Sequence, residues 1–515
     1  MVRGDILTSG LEERVNSFVE WTFGSSAPVA PRDSKVINDA LLGNQYFTRA
    51  EIAVIDSPLL QRLKKIRQTG LVFQVFPSAT HTRFEHCLGA CTIAERCFRA
   101  IQDRHSVEFP GKPFPADPDR LRGDLAHLRM AALLHDVGHG LCSHSSEQIY
   151  EELTDLQEFK KKPAFVKNAP GEILSHLIVK SKVFREWFER VAVTACRAEI
   201  NLDVVAEMIL GRHPDKDKYF LAQIVSSPYD ADKLDYIARD SYYCGLALTV
   251  DLARFYSMIS TAEYMGHRLL VLRSYVPLEQ ILFSKMTLYG SVYHHPKVKC
   301  LDAMLRSLIR HIVENGDQCG LHCRDKVITF SEPVEYLYVT DDEFFNQFGG
   351  FGDEFVKKML SSFKRRSLFV RSLETSRRTV SKQNWDTYHR KRIVDLSAHS
   401  ADLHRVEEEI HKLLPAEVRG RCNLDEVLLS VPGVPKIKSD FAYIQASPSG
   451  DIESIEDFFP LEQWTEAYAH HKWKSFVYAP KEHAKAVRDA AISVMKDALG
   501  IEVDATLSNI ACHLA

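Results

Sequence analysis

Apolar positions along most of this chain recur at intervals of three and four, the spacing that gathers them on one face of an α-helix. Leu59, Leu60, Leu63 and Ile66 follow it, as do Leu128, Met130, Ala131, Leu133 and Leu134. Alternating runs are scarce between about residues 51 and 310, so this stretch is expected to be a multi-helix domain. Residues 1–50 read as a helical lead-in broken by a proline-containing loop, APVAPRD at Ala27–Arg32. From 311 to 425 the charge density rises through KKMLSSFKRR and RVEEEIHKLLPAEVR without a Gly/Ser linker or internal repeat, which predicts a helical extension of the core. The texture then changes. VLLSVPG, FAYIQASPSG and SFVYAP are short β-like runs with turn signals, and EHAKAVRDAAISVMKDALG is an amphipathic helix. The expectation is a mainly α protein whose residues 426–515 form a small α/β module.

Composition narrows the partners. A chain of 515 residues can bury a large core in two or three domains. With 65 Lys+Arg against 69 Asp+Glu the net charge is −4, so any site for a polyanion must be local. Eleven scattered cysteines, an odd number without a framework spacing, fit reduced thiols in a cytoplasmic protein. The opening MVRGDILTSGLEERV has no apolar leader region, and no apolar run approaches the roughly 18 to 20 residues that span a membrane. A soluble chain with no membrane contact is expected.

The most informative segment is RMAALLHDVGHGLCSH, Arg129–His144, where an apolar helix runs into His135–Asp136 and a glycine-punctuated turn. Imidazole and carboxylate are good ligands for divalent first-row metals, and a His-Asp pair at a helix end offers both from a rigid base. His86 in HTRFEHCLGA and Asp232 in DADKLDYIARD extend the set, so four ligands from three helical segments can converge on one or two ions. Mn, Fe, Ni, Zn and Mg all suit such donors. A site of this kind leaves positions for water and a phosphate oxygen, which points to hydrolysis of a phosphate ester or anhydride. Arg83, three residues before His86, faces the same side of its helix and can grip a phosphate. Lys233 follows a ligand directly, and Tyr236 and Asp240 continue the helix face of Asp232. Their competing assignments are a core aromatic for Tyr236 and a pairing of Asp240 with Arg239.

The stretches FPSATHTRFEHCLG, LLHDVGHGLCSH and DADKLDYIARD resemble the HD-domain phosphohydrolases, specifically the branch that contains deoxynucleoside triphosphate triphosphohydrolases. The resemblance covers about residues 40–310. It implies an all-helical catalytic core, a metal on His86, His135, Asp136 and Asp232, and water attack at the α-phosphorus that releases deoxynucleoside and intact triphosphate. It further implies His144 as the acid for the leaving 5′ oxygen, His139 at the phosphates and Glu147 orienting the catalytic histidine, against the alternative of Glu147 as an exposed helix carboxylate. Tyr236 would lie beneath C2′ and exclude a ribose hydroxyl, with Asp240 and Gln68 on the 3′-hydroxyl. In KMTLYGSVYHHPKV, Lys285 would stand near the γ-phosphate and Tyr293 and His294 near sugar and base.

Two stretches depart from the family pattern. At PGEILSHLIV many relatives carry a His-Glu pair, where this chain has Gly171 and Glu172. Either His176 substitutes from a shifted register, or the enzyme works with fewer phosphate-side groups. In IDSPLLQRLKKIRQTG, Asp56, Gln61 and Lys64 stand where allosteric members read a guanine nucleotide, Lys64 in place of the usual Arg. That resemblance implies a nucleotide-activated homo-oligomer, dimer or tetramer; a plain surface helix explains the same residues.

Two weaker signals remain. CGLHC at Cys319–Cys323, with His322 between, offers three soft ligands without a partner motif and reads as ordinary thiols. RRTVSKQNWDTYHRKR at Arg377–Arg392 is basic with interleaved aromatics, compatible with nucleic acid but better read as a solvated helical face. Three functions follow in order: a dNTP triphosphohydrolase; an HD-type phosphodiesterase or nucleotidase acting on monophosphates, cyclic nucleotides or nucleic-acid ends; and a nucleotide-sensing assembly protein with little turnover.

Overall fold

The computed structural model describes residues 10–24, 31, 33–110, 118–194, 199–248, 250–323, 326–347, 353–385, 400–433 and 442–513. Most of the Ala27–Arg32 loop, the second half of the basic stretch and residues 434–438 lie outside them.

The mainly helical reading holds, with short strands inserted at definite places. After α1 (Gly10–Phe23), strands β1 (Lys35–Asp39) and β2 (Gly43–Phe47) form an antiparallel hairpin in register Lys35↔Phe47 to Asp39↔Gly43. A helical lead-in is expected there, but Gly43 turns the chain at φ 74° and β2 alternates, burying Gln45 and Phe47 while exposing Asn44 and Tyr46. Helix α2 (Arg49–Ile55) follows, opened by Thr48 and Glu51 bonding to each other's backbone N–H.

The spine of the core is α3 (Arg83–Glu108), which buries Phe84, Leu88, Cys91, Ala94, Phe98 and Ile101 at helical spacing. Glu85 accepts the Thr82 N–H at 2.8 Å and starts it. Against it pack α4 (Pro118–Leu134), α8 (Tyr219–Val225) and α9 (Ala231–Tyr243), while α5 (His144–Tyr150), α6 (Pro170–Lys180) and α7 (Leu202–Ile209) form a further layer in which α7 joins α6 to α4. A second hairpin, β3 (Ile259–Tyr264) and β4 (His267–Leu272), interrupts the expected run of helices. Its turn residues Met265 and Gly266 both have positive φ, the geometry that matches strand twist in a two-residue hairpin. Then come α10 (Val276–Leu288), the long α11 (Pro296–Glu314), α12 (Gly316–Cys319), the small hairpin β5 (Leu321–Cys323) and β6 (Lys326–Ile328), and α13 (Glu354–Arg365).

The last third is interlaced with what precedes it. Strand β7 (Val370–Ser376), inside the segment expected to be a helical extension, is an edge of a three-stranded antiparallel sheet ordered β7-β11-β8, with β8 (Leu428–Ser430) and β11 (Lys474–Ala479). Helices α14 (Ser400–Lys412) and α15 (Ala484–Asp497) cover it and share a separate apolar core that includes Leu373, Ile410, Leu429, Val477, Val487 and Val494. Strands β9 (Tyr443–Ile444) and β10 (Glu453–Ser454) instead join the other sheet, β9 running parallel to β4. Val370–Ser376 is a strand because its partner is more than ninety residues away, information that local charge density does not carry.

Glu407 ties this C-terminal part to the core. Fully buried on α14, its carboxylate accepts from Arg306 at 2.8 Å, Arg310 at 2.9 Å and the Leu429 N–H at 2.8 Å. Burial pushes its pKa up, but Arg306, His404 and Arg310 outweigh this and hold it at about 2, below the usual 4.5. The folded value lies below the unfolded one, so the ionised carboxylate stabilises above about pH 4.5, and that stability is lost as pH falls toward 2. Glu407→Gln is expected to lower stability at pH 7 by roughly 3 kcal/mol, with the gap to wild type closing as pH drops below 4.5. Thermal melts across that range check it; equal melting temperatures at pH 7 would remove Glu407 as the clamp.

Candidate metal centre and catalytic site

His86 comes from the second turn of α3, His135 and Asp136 from the chain leaving α4, and Asp232 from the first turn of α9. They meet. His86 Nε2 lies 3.2 Å from His135 Nε2, 3.1 Å from Asp232 Oδ1 and 3.6 Å from Asp136 Oδ2. His135 Nε2 is 3.5 Å from Asp136 Oδ1 and 3.8 Å from Asp232 Oδ1. His86, His135 and Asp136 are buried, whereas the Asp232 side chain is 31% exposed, so the centre opens toward Asp232.

The outer nitrogens of both imidazoles are already committed. His86 Nδ1–H donates to Asp235 at 2.8 Å and His135 Nδ1–H to the Ala132 carbonyl at 2.7 Å. The two Nε2 atoms and the Asp136 carboxylate therefore gather within ligand distance of one another, with Asp232 beside His86, and this donor set fits a divalent cation. Its electrostatics agree. Burial alone would push Asp136 up, but Arg83, His135 and His139 hold its carboxyl well below the usual range. His86 is raised to about 10 because hydrogen bonds to Asp232 and Asp235 outweigh its burial. That proton must leave when a cation binds.

Behind the ligands runs a buried chain of charge absent from the sequence reading. Asp235 accepts from Arg239 Nε at 2.8 Å and Nη2 at 2.9 Å, and Arg239 Nη1 donates to Asp39 at 2.8 Å at the end of β1. Gly89 makes room, since a Cβ there would fall on the Asp235 carboxylate. The alternative pairing of Asp240 with Arg239 is corrected: Asp240 binds His81 Nε2 at 2.7 Å and the Tyr293 hydroxyl. The spacing of four between Asp235 and Arg239 could have signalled their pairing.

Arg83 donates to Asp136, to Ser143 Oγ at 2.6 Å, and lies 3.4 Å from His144 Nε2. His144 Nδ1–H donates to Glu147 at 2.6 Å, and the Gly171 N–H donates to the other Glu147 oxygen at 2.8 Å. Glu147 is buried, which corrects the exposed-carboxylate alternative, and His139 with the His144 and Gly171 bonds holds it near pKa 2 against its burial. His144 is 67% exposed at its side chain, ready to meet a ligand. His139 Nε2 lies 3.3 Å from Asp136, while its Nδ1 is buried without a partner. A Cβ on Gly171 would stand 2.5 Å from His139 Nε2, so the imidazole occupies the space a side chain at 171 would need. His176 is no substitute: it bonds the Ala206 carbonyl at 3.0 Å and packs edge-on against Phe165. Glu172 caps α6 through the Ala169 N–H at 3.2 Å.

The remaining expected residues divide. Gln68 joins the corner of His81, Asp240 and Tyr293 through its backbone bond to the His81 carbonyl, and its buried Oε1 has no partner. Tyr236 is half-buried against Val72, Leu288 and Val292. Lys233 is spent on Asp230 at 2.6 Å. Lys285 stands 5.9 Å over the Tyr289 ring, and His294, pushed down to about 3 by burial, packs edge-on against the same ring. Asp56 pairs with Lys35 at 2.6 Å, Gln61 donates to the Ile55 carbonyl at 2.8 Å, and Lys64 lies 4.5 Å over the Phe84 ring.

Asp341 also went unread. Its buried carboxylate accepts the Cys142 N–H at 2.7 Å and the Arg67 N–H at 2.9 Å, and burial raises it to about 6. It holds the turn in which Cys142 and Ser143 adopt φ of 53° and 57°, a conformation that costs about 1–3 kcal/mol per residue.

Two substitutions test this geometry. Asp235→Asn is expected to weaken divalent-metal affinity about 10–100-fold with activity restored by excess metal; an unchanged affinity in a calorimetric titration would remove its orienting role. Gly171→Ala keeps the N–H to Glu147 but displaces His139, and is expected to lower kcat/KM by about 100-fold with the melting temperature kept. Unaltered turnover would show that the placement of His139 is not needed.

Known proteins place this geometry. The family model for the HD domain matches residues 83–240, and that for the HD associated region matches 250–505. The chain is 25% identical over 489 residues to the uncharacterized protein MJ1154 of Methanocaldococcus jannaschii, covering 92% of this chain and 87% of that one. It is 26% identical over 278 residues to the deoxynucleoside triphosphate triphosphohydrolase SAMHD1 homolog of Dictyostelium discoideum, and 25% identical over 349 residues to SAMHD1 of Danio rerio. Those matches cover 53% and 61% of this chain but only 48% and 51% of the triphosphohydrolases, about half their length. In fold it resembles a hypothetical protein from Aquifex aeolicus, with a TM-score of 0.59 at 20% identity over 89% of this chain and 99% of the other. The ligand helices lie inside the HD match and the strand-bearing remainder inside the associated region, so the chain belongs to the HD-domain phosphohydrolase family, in the branch that includes deoxynucleoside triphosphate triphosphohydrolases.

Proposed function

We propose that this protein hydrolyses deoxynucleoside triphosphates to deoxynucleoside and triphosphate. The observation that carries the nucleotide reading is the corner farther along α9 from Asp232: His81 and Tyr293 fix Asp240, and the buried Oε1 of Gln68 lacks the donor that a sugar 3′-hydroxyl would supply. Tyr236 would lie beneath C2′, so that a ribose hydroxyl would meet its ring.

His86, His135, Asp136 and Asp232 would hold the divalent ion. When bound, it polarises a phosphate oxygen and makes water a better nucleophile. Arg83 supplies fixed positive charge beside Asp136 for the α-phosphate. His144, oriented through Nδ1 by Glu147 and with Nε2 3.4 Å from Arg83, would turn Nε2 to the leaving 5′ oxygen as its proton donor. His139 meets phosphate from the Asp136 side. Lys233, held by Asp230 at 2.6 Å, would stand at the edge of the phosphate side, and Lys285, Tyr293 and His294 would border the nucleotide farther from the ion. We further infer a cytoplasmic homo-oligomer, with Asp56, Gln61 and Lys64 as the candidate activator contact.

Gly171 favours a second reading, an HD-type phosphodiesterase or nucleotidase, since one phosphate-side group expected from the family is missing. Incubating the protein with each dNTP and rNTP plus Mn or Mg, then resolving products by chromatography, separates the two. Deoxynucleoside with intact triphosphate is expected, with rNTPs spared and turnover in Asp136→Asn reduced about 100-fold or more. Cleavage confined to monophosphates or cyclic nucleotides would overturn the first reading for the second; dNTP binding and assembly without turnover would overturn both.

A further inference from the structure

The far end of α11 carries a second group of ligand-type side chains. His311 in its last turn, Cys319 at the end of α12 and Asp353 at the N-cap of α13 bring an imidazole nitrogen, a thiol sulfur and a carboxylate oxygen within 4.8 Å of one another. His311 Nε2 lies 2.8 Å from Asp353 Oδ2, and Nδ1 lies 2.8 Å from Asp425, which Arg310 holds in turn at 2.9 Å. Cys319 is fully buried, while the Asp353 side chain is 40% exposed, so the group opens to solvent on one side. The CGLHC pattern is thereby split. Cys319 faces residues distant in sequence, whereas His322 is exposed and Cys323 Sγ lies 3.5 Å from the Tyr338 carbonyl.

An imidazolium bridging two aspartates would account for His311, Asp353 and Asp425 but gives the Cys319 thiol no part. A cation uses all four. A carboxylate on the far nitrogen is the arrangement that orients a metal-bound histidine, and here Asp425 supplies it. Thiolate among the donors favours zinc-class ions over Mg or Mn. We propose that His311 Nε2, Cys319 Sγ and Asp353 Oδ2 bind a zinc-class divalent cation, with Asp425 orienting the histidine, at a site that shares no ligand with the catalytic centre. Binding displaces the thiol proton and any proton on Nε2 into solvent, and leaves one position for water. The residues between His311 and Asp353 include the β5–β6 hairpin and Asp341, the carboxylate that holds the Cys142–Ser143 turn. The ion would pin both ends of that excursion and steady the catalytic turn from outside.

The test is to strip the full-length protein of metal and titrate it with Co(II). Cobalt bound by thiolate absorbs intensely in the near-ultraviolet through charge transfer from sulfur; the nitrogen and oxygen ligands of the catalytic centre give no such band. Wild type is expected to show the band, to keep it in Cys323→Ser and in His135→Ala, and to lose it in Cys319→Ser. Asp353→Asn, whose amide oxygen still caps α13 at the Val356 N–H, is expected to weaken cobalt binding at this site at least ten-fold. It decides the matter should Cys319→Ser fail to fold. A metal-loaded wild type without the band, or a band of full intensity and affinity in either ligand variant, overturns the proposal.

Discussion

The candidate metal centre rests on the Asp235 carboxylate, a fully buried charge at the crossing of α3 and α9. It is tolerated only because three donors surround it: His86 Nδ1 on one side and two nitrogens of Arg239 on the other. Arg239 is buried as well, and is in turn completed by Asp39. Removing one member of such a chain leaves its neighbour as an uncompensated buried charge, typically at a cost of about 3–5 kcal/mol. The N-terminal hairpin therefore belongs to the metal site, since β1 ends on Asp39. Gly89 belongs to it too, because any side chain there would drive the two helices apart.

What the sequence displayed and what it hid follow from range. His86, His135, Asp136 and Asp232 stood out because each sits in a short segment whose local chemistry is conspicuous, and the helices carrying them were readable from apolar spacing. Their orienting partners were hidden because Asp235, Arg239 and Asp39 look like ordinary surface charges until the tertiary crossing buries them. The same limit explains β7, whose pairing with β11 depends on residues far along the chain. Lys233 and Lys285 show the same limit: the sequence presents each as a cation near the site, and only the fold shows the Asp230 carboxylate on Lys233 and the Tyr289 ring beside Lys285.

The region beyond the HD domain bears on the catalytic loop through hydrogen bonds to backbone rather than through side chains at the metal. Asp341 holds the Cys142 and Arg67 N–H groups, and Arg62 donates to the carbonyls of Val137 and His139 at 2.7 and 2.8 Å and to Leu337 at 3.3 Å. The loop from Val137 to Ser143 is thus gripped from two directions. Its strained positive-φ residues lie between those grips and deliver Ser143, which bonds Arg83, and His144, which faces the open side.

The glycine at 171 is better understood as an exchange of roles than as a loss. Its backbone N–H completes Glu147, which fixes His144, and the volume its missing side chain vacates is filled by His139. Burial and the nearby Arg83 lower the pKa of His139, which holds one nitrogen toward Asp136 while the other is buried and unpartnered. A side chain at 171 would require this ring to move, so the His139 imidazole on the HD loop and the bare backbone of α6 fit one another.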